Sequence, residues 1–173
     1  DALLRAGATI HELNAVRKHL SRLKGGQLAR LAQPARVVSL ILSDVVGDDL
    51  SVIASGPTAP DPTTFADALD VISQRLLNAD SPIRVIPQSM SHHLQRGARG
   101  ESPETPKPGD ALFERVHNVI VGSNTLAAQA AAEKARALGY EPRIVTDQLM
   151  GEARAVAQEI VAQARPFGSR RPE

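Results

Sequence analysis

A nearly unbroken run of apolar residues, followed at once by an acidic turn, constrains the fold of this chain more than any other feature. The run consists of Val37, Val38, Leu40, Ile41 and Leu42, and the turn contains Ser43, Asp44, Gly47, Asp48 and Asp49. A continuous aliphatic, β-branched segment is typical of a strand in a parallel sheet with both faces covered by helices. Open α/β sheets bind their ligands at the carboxyl ends of such strands. The sequence therefore predicts an α/β fold with a ligand site beside the acidic turn.

The amino-acid composition further limits the fold class and the binding partners that this chain can have. The 173 residues suit one domain with a genuine core, and 42% of them are hydrophobic while only 2% are aromatic. An aliphatic core favours helices on a sheet over an all-β sandwich. The net charge of +1 argues against a nucleic-acid partner, and the absence of Cys excludes disulfides. The absence of Cys also fits a cytoplasmic protein. No apolar run is long enough to cross a bilayer, and the small net charge provides no field for an anionic membrane, so we expect neither a membrane nor a nucleic-acid partner.

Helix and strand patterns alternate along the chain. Thr9 and Glu12 have the spacing of a capping box, and the helix that they begin should continue to a break at Gly25 and Gly26. Its apolar stripe is predicted to contain Leu13, Val16, Leu20 and Leu23. Thr64 is placed to cap a helix over residues 65–77 whose buried face holds Ala66, Leu69, Val71, Ile72 and Leu76. Further helices are expected near 1–6, 28–32, 87–96, 125–138 and 151–164, and further strands over 118–121 and 143–146. This alternation indicates right-handed βαβ units.

Polar residues follow each of the three predicted strands, and we expect them to lie side by side at one edge of the sheet. They are Ser43 and Asp44, then Gly122, Ser123 and Asn124, then Thr146 and Asp147. Ser123 and Asn124 stand at a helix N-terminus, which favours a phosphate or a carboxylate, although ordinary helix capping is the preferred alternative on this signal alone.

The acidic turn and two flanking segments supply the other candidates. Clustered carboxylates beside a phosphate site can hold a Mg²⁺ ion. For Asp44 that role and a solvated turn are equally supported, and for Asp49 the turn is favoured. The segment from Ser55 to Thr58 suits oxyanion contacts or a plain turn, and it is not a Walker A loop. Arg17 and Lys24 lie two helical turns apart and are expected to point the same way, so they can neutralise phosphate charge together, whereas Lys18 and Arg22 are interpreted as a charged helix face.

Four segments together resemble one known family. They are residues 12–21 with 24–26, 42–48, 53–58 and 104–109. They resemble the glycerate 2-kinase family, whose members are also labelled hydroxypyruvate reductases and often carry a C-terminal MOFRL domain. The resemblance covers the chain up to about residue 165. It implies a Rossmann-like three-layer α/β/α domain with a mainly parallel sheet, and phosphorylation of D-glycerate to 2-phosphoglycerate with ATP and Mg²⁺.

The resemblance also implies roles for the candidate residues. Catalytic roles would fall to Arg17 and Lys24, and the metal would be held by Asp44 and Asp48. Substrate and nucleotide would be bound by Asn14, Gly25, Gly26, Ser43, Gly47, Ser55, Gly56, Pro57, Thr58, Ser123 and Asn124. The implied partners are D-glycerate and ATP, and a homodimer is left open.

Two motifs of the family are absent, a Gly-Lys-Ala type before this region and a Gly-Gly-Arg-Asn type after it. We therefore expect residues 1–165 to be the central part of the N-terminal domain, residues 166–173 to be a truncated linker, and the chain alone to be an inactive or weakly active fragment of an incomplete fold. A nicotinamide-dependent hydroxypyruvate reductase is a weaker alternative because no G-x-G-x-x-G follows a strand. A remnant that binds only nucleotide or a partner is the third hypothesis.

Overall fold

The computed structural model describes residues 2–77 and 86–164, in which helices alternate with two strands. The helices are α1 (Ala2–Arg5), α2 (Ile10–Leu20), α3 (Gln27–Leu31), α4 (Phe65–Leu76), α5 (Gln88–Ala98), α6 (Asn124–Ala137) and α7 (Ala153–Ala164). Short 3₁₀ turns cover Ile53–Ser55 and Ala111–Arg115. The strands β1 (Val37–Leu42) and β2 (Val116–Gly122) form a two-stranded parallel sheet. The predicted α/β class is confirmed, and the predicted linker over 166–173 lies outside the described residues.

The chain divides into two compact units. Unit 1 comprises Asp1–Leu40 and Asp49–Val119, and unit 2 comprises Ile41–Asp48 and Ile120–Glu173. Each unit contains part of the predicted site, and each is described by itself below.

The core of unit 1 lies between α2, α4 and α5. Its buried members are Val16, Phe65, Ala68, Ile72 and Leu94. Both predicted caps are confirmed, since the Thr9 hydroxyl accepts the N–H of Glu12 and the Thr64 hydroxyl accepts the N–H of Asp67. A Cβ on Gly97 would lie 2.3 Å from the Phe65 ring, so α5 packs with its backbone directly against that ring.

Helix α2 ends earlier than its apolar pattern predicts. The hydroxyl of Ser21 accepts the N–H groups of Leu23 and Lys24, and this local bonding turns the chain away from the helix. The predicted extension to Gly25 is therefore wrong, and Leu20 and Leu23 are exposed. The buried positions of α2 are Leu13, Asn14, Ala15, Val16, Lys18 and His19.

Three other predictions also differ from the structure. On α4, Ala66 is exposed, while Phe65 and Ala68 are buried instead. Residues 143–146 form no strand, and the sheet of the described residues contains only β1 and β2. The residues of β1 alternate between half-buried and exposed, so only one face of this strand is covered by described residues. The exposed side chains on its other face are those of Val38, Leu40 and Leu42.

Candidate functional site

The loop of unit 1 that was predicted to contact an oxyanion begins with a left-handed turn. Ala54, Ser55 and Gly56 have φ angles of 52°, 63° and 60°. This conformation is unfavourable for residues with a Cβ, at roughly 1–2 kcal/mol each for Ala54 and Ser55. We call residues 52–58 the Ser55 loop. Because the chain does not adopt such a turn spontaneously, contacts elsewhere must hold it in place.

The turn at residues 24–26 provides those contacts. Gly25 donates its N–H to Ser55 O at 2.9 Å, and Gly26 donates to Gly56 O at 2.7 Å. The ammonium group of Lys24 donates to Ala54 O at 2.9 Å. A Cβ on Gly25 would lie 3.0 Å from the side chain of Lys18, and both glycines have positive φ. Glycine is thus required here by close packing as well as by backbone conformation.

The hydroxyl groups of the Ser55 loop bond to protein partners. Ser55 donates its hydroxyl to Oδ1 of the buried Asn14 at 2.8 Å, and Asn14 donates through Nδ2 to Val52 O. The hydroxyl of Thr58 donates to Asn118 Oδ1 at 2.6 Å and accepts from Ser39. These bonds give the side chains a role in shaping the loop.

Several backbone groups of the Ser55 loop also form hydrogen bonds within the protein. The N–H groups of Ser55 and Gly56 donate to Val52 O and Ile53 O, and Pro57 O accepts from Ala29 N at 3.4 Å. Direct oxyanion contacts by this loop stay a prediction.

Arg17 and Lys24 do not share a helix face, because α2 ends before Lys24. Arg17 is exposed on α2 and has no hydrogen bond or ion pair to a described residue. Lys24 is half-buried beside the Ser55 loop. Their predicted catalytic roles stay predictions, but the expectation that they point the same way along one helix is wrong.

A network of charged and polar side chains, buried at Lys18, His19 and Asp61 and half-buried at Glu104 and Lys107, lies behind the turn at residues 24–26, and the sequence did not reveal it. We call it the Asp61 network; its members are Lys18, His19, Asp61, Thr63, Glu104, Thr105 and Lys107. The ammonium group of Lys18 lies 3.1 Å from Asp61 Oδ1, and the two side chains are only 4% and 0% exposed. The interpretation of Lys18 as part of a charged surface face is wrong. The position of Lys18 on the helix is consistent with its burial. Lys18 lies one turn after Asn14 and therefore shares a helix face with this buried polar residue.

Hydrogen bonds keep the two carboxylates of this network ionised. Burial raises the pKa of Asp61, but bonds from the hydroxyl and N–H of Thr63, together with the Lys18 charge, outweigh burial and lower it. The pKa of Glu104 is lowered in the same way, because the Phe65 N–H and Lys107 outweigh its partial burial.

The ring of His19 faces two acceptors. Its Nδ1 lies 2.7 Å from Ala15 O, and its Nε2 lies 3.1 Å from the Glu104 carboxylate. Both contacts are hydrogen bonds only when the ring carries both protons, and its positive charge then faces Glu104.

The other predicted site residues lie in unit 2, where the three polar turns come together as expected, although the turn at Thr146 and Asp147 follows no strand. Ser43 donates its N–H to Gly122 O at 2.8 Å, and the hydroxyl of Thr125 donates to Asp147 Oδ2 at 2.8 Å. Ser123 caps α6 by accepting the N–H of Leu126, which confirms the preferred alternative of helix capping. These contacts place a helix N-terminus beside two polar chain turns.

The carboxylates of the acidic turn have different surroundings. Asp44 is exposed and Asp48 is half-buried, and neither side chain bonds to a described residue. Gly47 and Asp48 both have positive φ, at 81° and 55°. Asp49 lies in unit 1 and accepts the N–H of Ser51, so the favoured interpretation of Asp49 as a turn residue is confirmed.

The described residues contain no group of three or more His, Cys, Asp or Glu that could hold a metal. Two free carboxylates still suit Mg²⁺, which usually takes one or two from the protein and keeps several waters. Within the described ranges, no helix has the length and apolar character needed to cross a membrane.

Comparisons with known proteins relate this chain to characterised sequences and structures. The family described as Domain of unknown function (DUF4147) matches residues 1–95. A protein named Glycerate 2-kinase from Pyrococcus horikoshii is 44% identical over 96% of the chain, and one named Putative hydroxypyruvate reductase from Agrobacterium vitis is 46% identical over 91%. A crystal structure of a glycerate kinase from Thermotoga maritima aligns with 96% of the chain at a TM-score of 0.76 and 36% identity. The chain spans 38%, 33% and 36% of the lengths of these three proteins.

Proposed function

This chain belongs to the DUF4147 family, and we propose that it forms part of a kinase that transfers a phosphoryl group from ATP to the 2-hydroxyl of D-glycerate. The product is 2-phosphoglycerate. The observation that carries the proposal is 44% identity to a protein named Glycerate 2-kinase over 96% of this chain. Since the chain spans only 38% of that relative, the isolated chain is expected to be weakly active or inactive.

In unit 2 the proposal assigns the metal and phosphate contacts to the acidic turn and the start of α6. Asp44 and Asp48 would hold Mg²⁺, and their lack of other side-chain partners among the described residues supports this. A bound Mg²⁺ neutralises phosphate charge during the transfer. Ser43 and Gly47 shape the turn, while Ser123 and Asn124 begin α6, whose first N–H groups favour an anion.

In unit 1 the proposal assigns substrate and phosphate contacts to cations. The ammonium group of Lys24 has three donors, and its bond to Ala54 O leaves two for a phosphate or for the glycerate carboxylate. Arg17 is exposed and offers five donors. Asn14, Gly25 and Gly26 hold the Ser55 loop in its left-handed conformation, so they contribute by positioning. Phosphoryl transfer depends mainly on such positioning and on neutralisation of charge.

A coupled assay with Mg²⁺, ATP and D-glycerate tests the activity. It should be run on this chain and on a longer polypeptide that also contains the regions of the relatives outside the match. Turnover that depends on D-glycerate in the longer polypeptide supports the proposal. The name of the Agrobacterium vitis relative makes hydroxypyruvate reductase the second candidate, and oxidation of NADH with hydroxypyruvate in place of kinase activity would overturn the kinase assignment. Binding of nucleotide without turnover in either polypeptide would favour the non-catalytic hypothesis.

The metal role of Asp44 has its own test. Titration calorimetry should show that Asp44→Asn weakens Mg²⁺-dependent ATP binding by about tenfold or more, because one charged ligand is lost. Asp70→Asn is the matched control, since Asp70 is an exposed carboxylate on α4. Equal affinity of the Asp44→Asn variant and the control would refute the metal role. Cytoplasmic localisation and a homodimer stay predictions.

A further inference from the structure

A cavity of about 300 Å³ in unit 1 lies next to the Asp61 network. Its walls come from the end of α2 and the turn after it, from α3, and from Phe65, His93, Ser102, Pro103 and Thr105. We call it the Lys18 pocket. Its volume is at the lower end of the range for small-molecule sites.

Among the residues that line the Lys18 pocket, Lys18 gives the strongest indication of what the pocket binds. It lines the cavity while its side chain is only 4% exposed. Its ammonium group carries three N–H donors, and the contact with Asp61 Oδ1 accounts for one of them among the described residues. A buried ammonium with two donors left over has a strong requirement for further acceptors. Because Lys18 lines the cavity, a group that enters the cavity can supply them.

Three other polar groups of the wall also have donors to spare, those of Ser21, Arg22 and Gln27. The Ser21 oxygen accepts two backbone N–H groups, which leaves its own O–H available. Gln27 accepts a bond from Arg30 through Oε1, which leaves its NH₂ group available. Arg22 lines the cavity with an exposed guanidinium that has no ion pair or hydrogen bond to a described residue. No carboxylate is among the described residues that line the cavity.

Charge around the cavity favours an anion. Lys18 is compensated by Asp61, and Lys107 is compensated by Glu104. Among the described residues, Arg22 is left without such compensation, and Arg30, which lies near the cavity on α3 but does not line it, bonds to neutral acceptors, Gln27 Oε1 and Glu104 O. A site with several donors, no acceptor carboxylate and surplus positive charge matches the chemistry of a phosphate group, whose oxygens accept hydrogen bonds at close range.

From these observations we propose that the Lys18 pocket binds a small phosphate-bearing ligand, with Lys18, Arg22 and Gln27 as donors. The proposal goes beyond glycerate phosphorylation and is independent of it, because binding is measured on this chain without ATP or glycerate. Inorganic phosphate and a small phosphate ester share this chemistry, so both are used as probes.

The test is a titration of the chain with inorganic phosphate and, separately, with glycerol phosphate, followed by ¹H–¹⁵N NMR at constant ionic strength. Saturable shifts of the amides at Ser21 and Gln27, with half-saturation below about 1 mM, are expected for at least one probe. Tighter binding of glycerol phosphate would identify an ester as the ligand, and equal binding would identify the phosphate group alone. Half-saturation above 1 mM for both probes, or shifts spread over the surface, would overturn the proposal.

Variants separate a specific site from general attraction of anions. Arg22→Ala should weaken binding by about tenfold, since a charge-assisted hydrogen bond from an exposed side chain is lost. Arg36→Ala is the matched control, because Arg36 is an exposed cation outside the lining. Both side chains are exposed, so neither substitution should affect folding. Equal weakening by the two variants would show that only net charge matters and would refute the site.

Discussion

Replacement of Asp61 by Asn should be among the most destabilising isosteric changes in unit 1. The carboxylate is fully buried and accepts bonds from Lys18, from the N–H and hydroxyl of Thr63, and from the hydroxyl of Thr105. Asn has the same shape but no charge, and one of its two polar atoms cannot accept a hydrogen bond. The variant therefore leaves the buried ammonium of Lys18 without its counter-charge.

The expected loss is about 3–5 kcal/mol, the usual cost when one partner of a buried ion pair is removed. A domain of this size has a total stability of about 5–15 kcal/mol, so the loss is a large fraction of it. Thr105→Val removes one donor to Asp61 and one acceptor of Lys107 while keeping the Lys18–Asp61 charge pair, and should cost about 1–2 kcal/mol. The two variants thus separate the loss of charge from the loss of neutral hydrogen-bonding groups.

Urea unfolding followed by circular dichroism at pH 7 measures both variants. Asp70→Asn is the control, because it makes the same chemical change at an exposed position and should alter stability by less than about 0.5 kcal/mol. If Asp61→Asn costs no more than this control, the carboxylate is hydrated and the argument for a buried pair fails. If Asp61→Asn does not fold, Thr105→Val decides, since a loss below about 0.5 kcal/mol would also contradict a buried network.

Two further predictions concern packing and pH. Gly97→Ala should destabilise the protein by about 1–2 kcal/mol in urea unfolding, because the new Cβ would lie 2.3 Å from the Phe65 ring. This overpacking is expected to outweigh the gain of about 1 kcal/mol in helix propensity. A stabilised variant would show that the Phe65 ring can move away without cost. The folded-state pKa values of Glu12, Asp61 and Glu104 are lowered, so their contribution to stability is complete above the unfolded-state values near pH 4 and is lost as pH falls through the folded-state values. Glu104→Gln should therefore flatten the acid limb of a stability–pH curve, and an unchanged slope below about pH 4 would contradict this.

Sequence reasoning succeeded where a structure is encoded by neighbouring residues. The caps at Thr9 and Thr64 are hydrogen bonds that span three residues, and both are present. Strands β1 and β2 follow from continuous aliphatic runs, and the juxtaposition of Ser43 with Gly122 follows from their positions after these strands. The prediction was wrong where the spacing of apolar residues and a local hydrogen bond favour different structures. At Ser21 the hydroxyl accepts backbone N–H groups and ends α2 before the apolar stripe ends.

The candidate site was also predicted only as far as neighbouring residues determine it. Its segments around residues 14–26 and 53–58 were identified from their residue types, but the direction in which their polar groups point was not. Ser55 and Thr58 bond inward to Asn14 and Asn118, over separations of 41 and 60 residues, and no local pattern reports such distant partners. Their predicted contact with a phosphate therefore remains to be tested by binding experiments.

The sequence by itself determined the α/β class, most of the helices, both strands and the order in which the polar turns follow them. Those features depend on backbone bonding and on apolar spacing within a few residues. Only the tertiary structure decided that Lys18 is buried against Asp61, 43 residues away, and that this pair packs behind Gly25. The reason is that burial of a charge is favourable only when distant parts of the chain supply its partners, and those partners are fixed by the packing of α2 against the loops around residues 61 and 105.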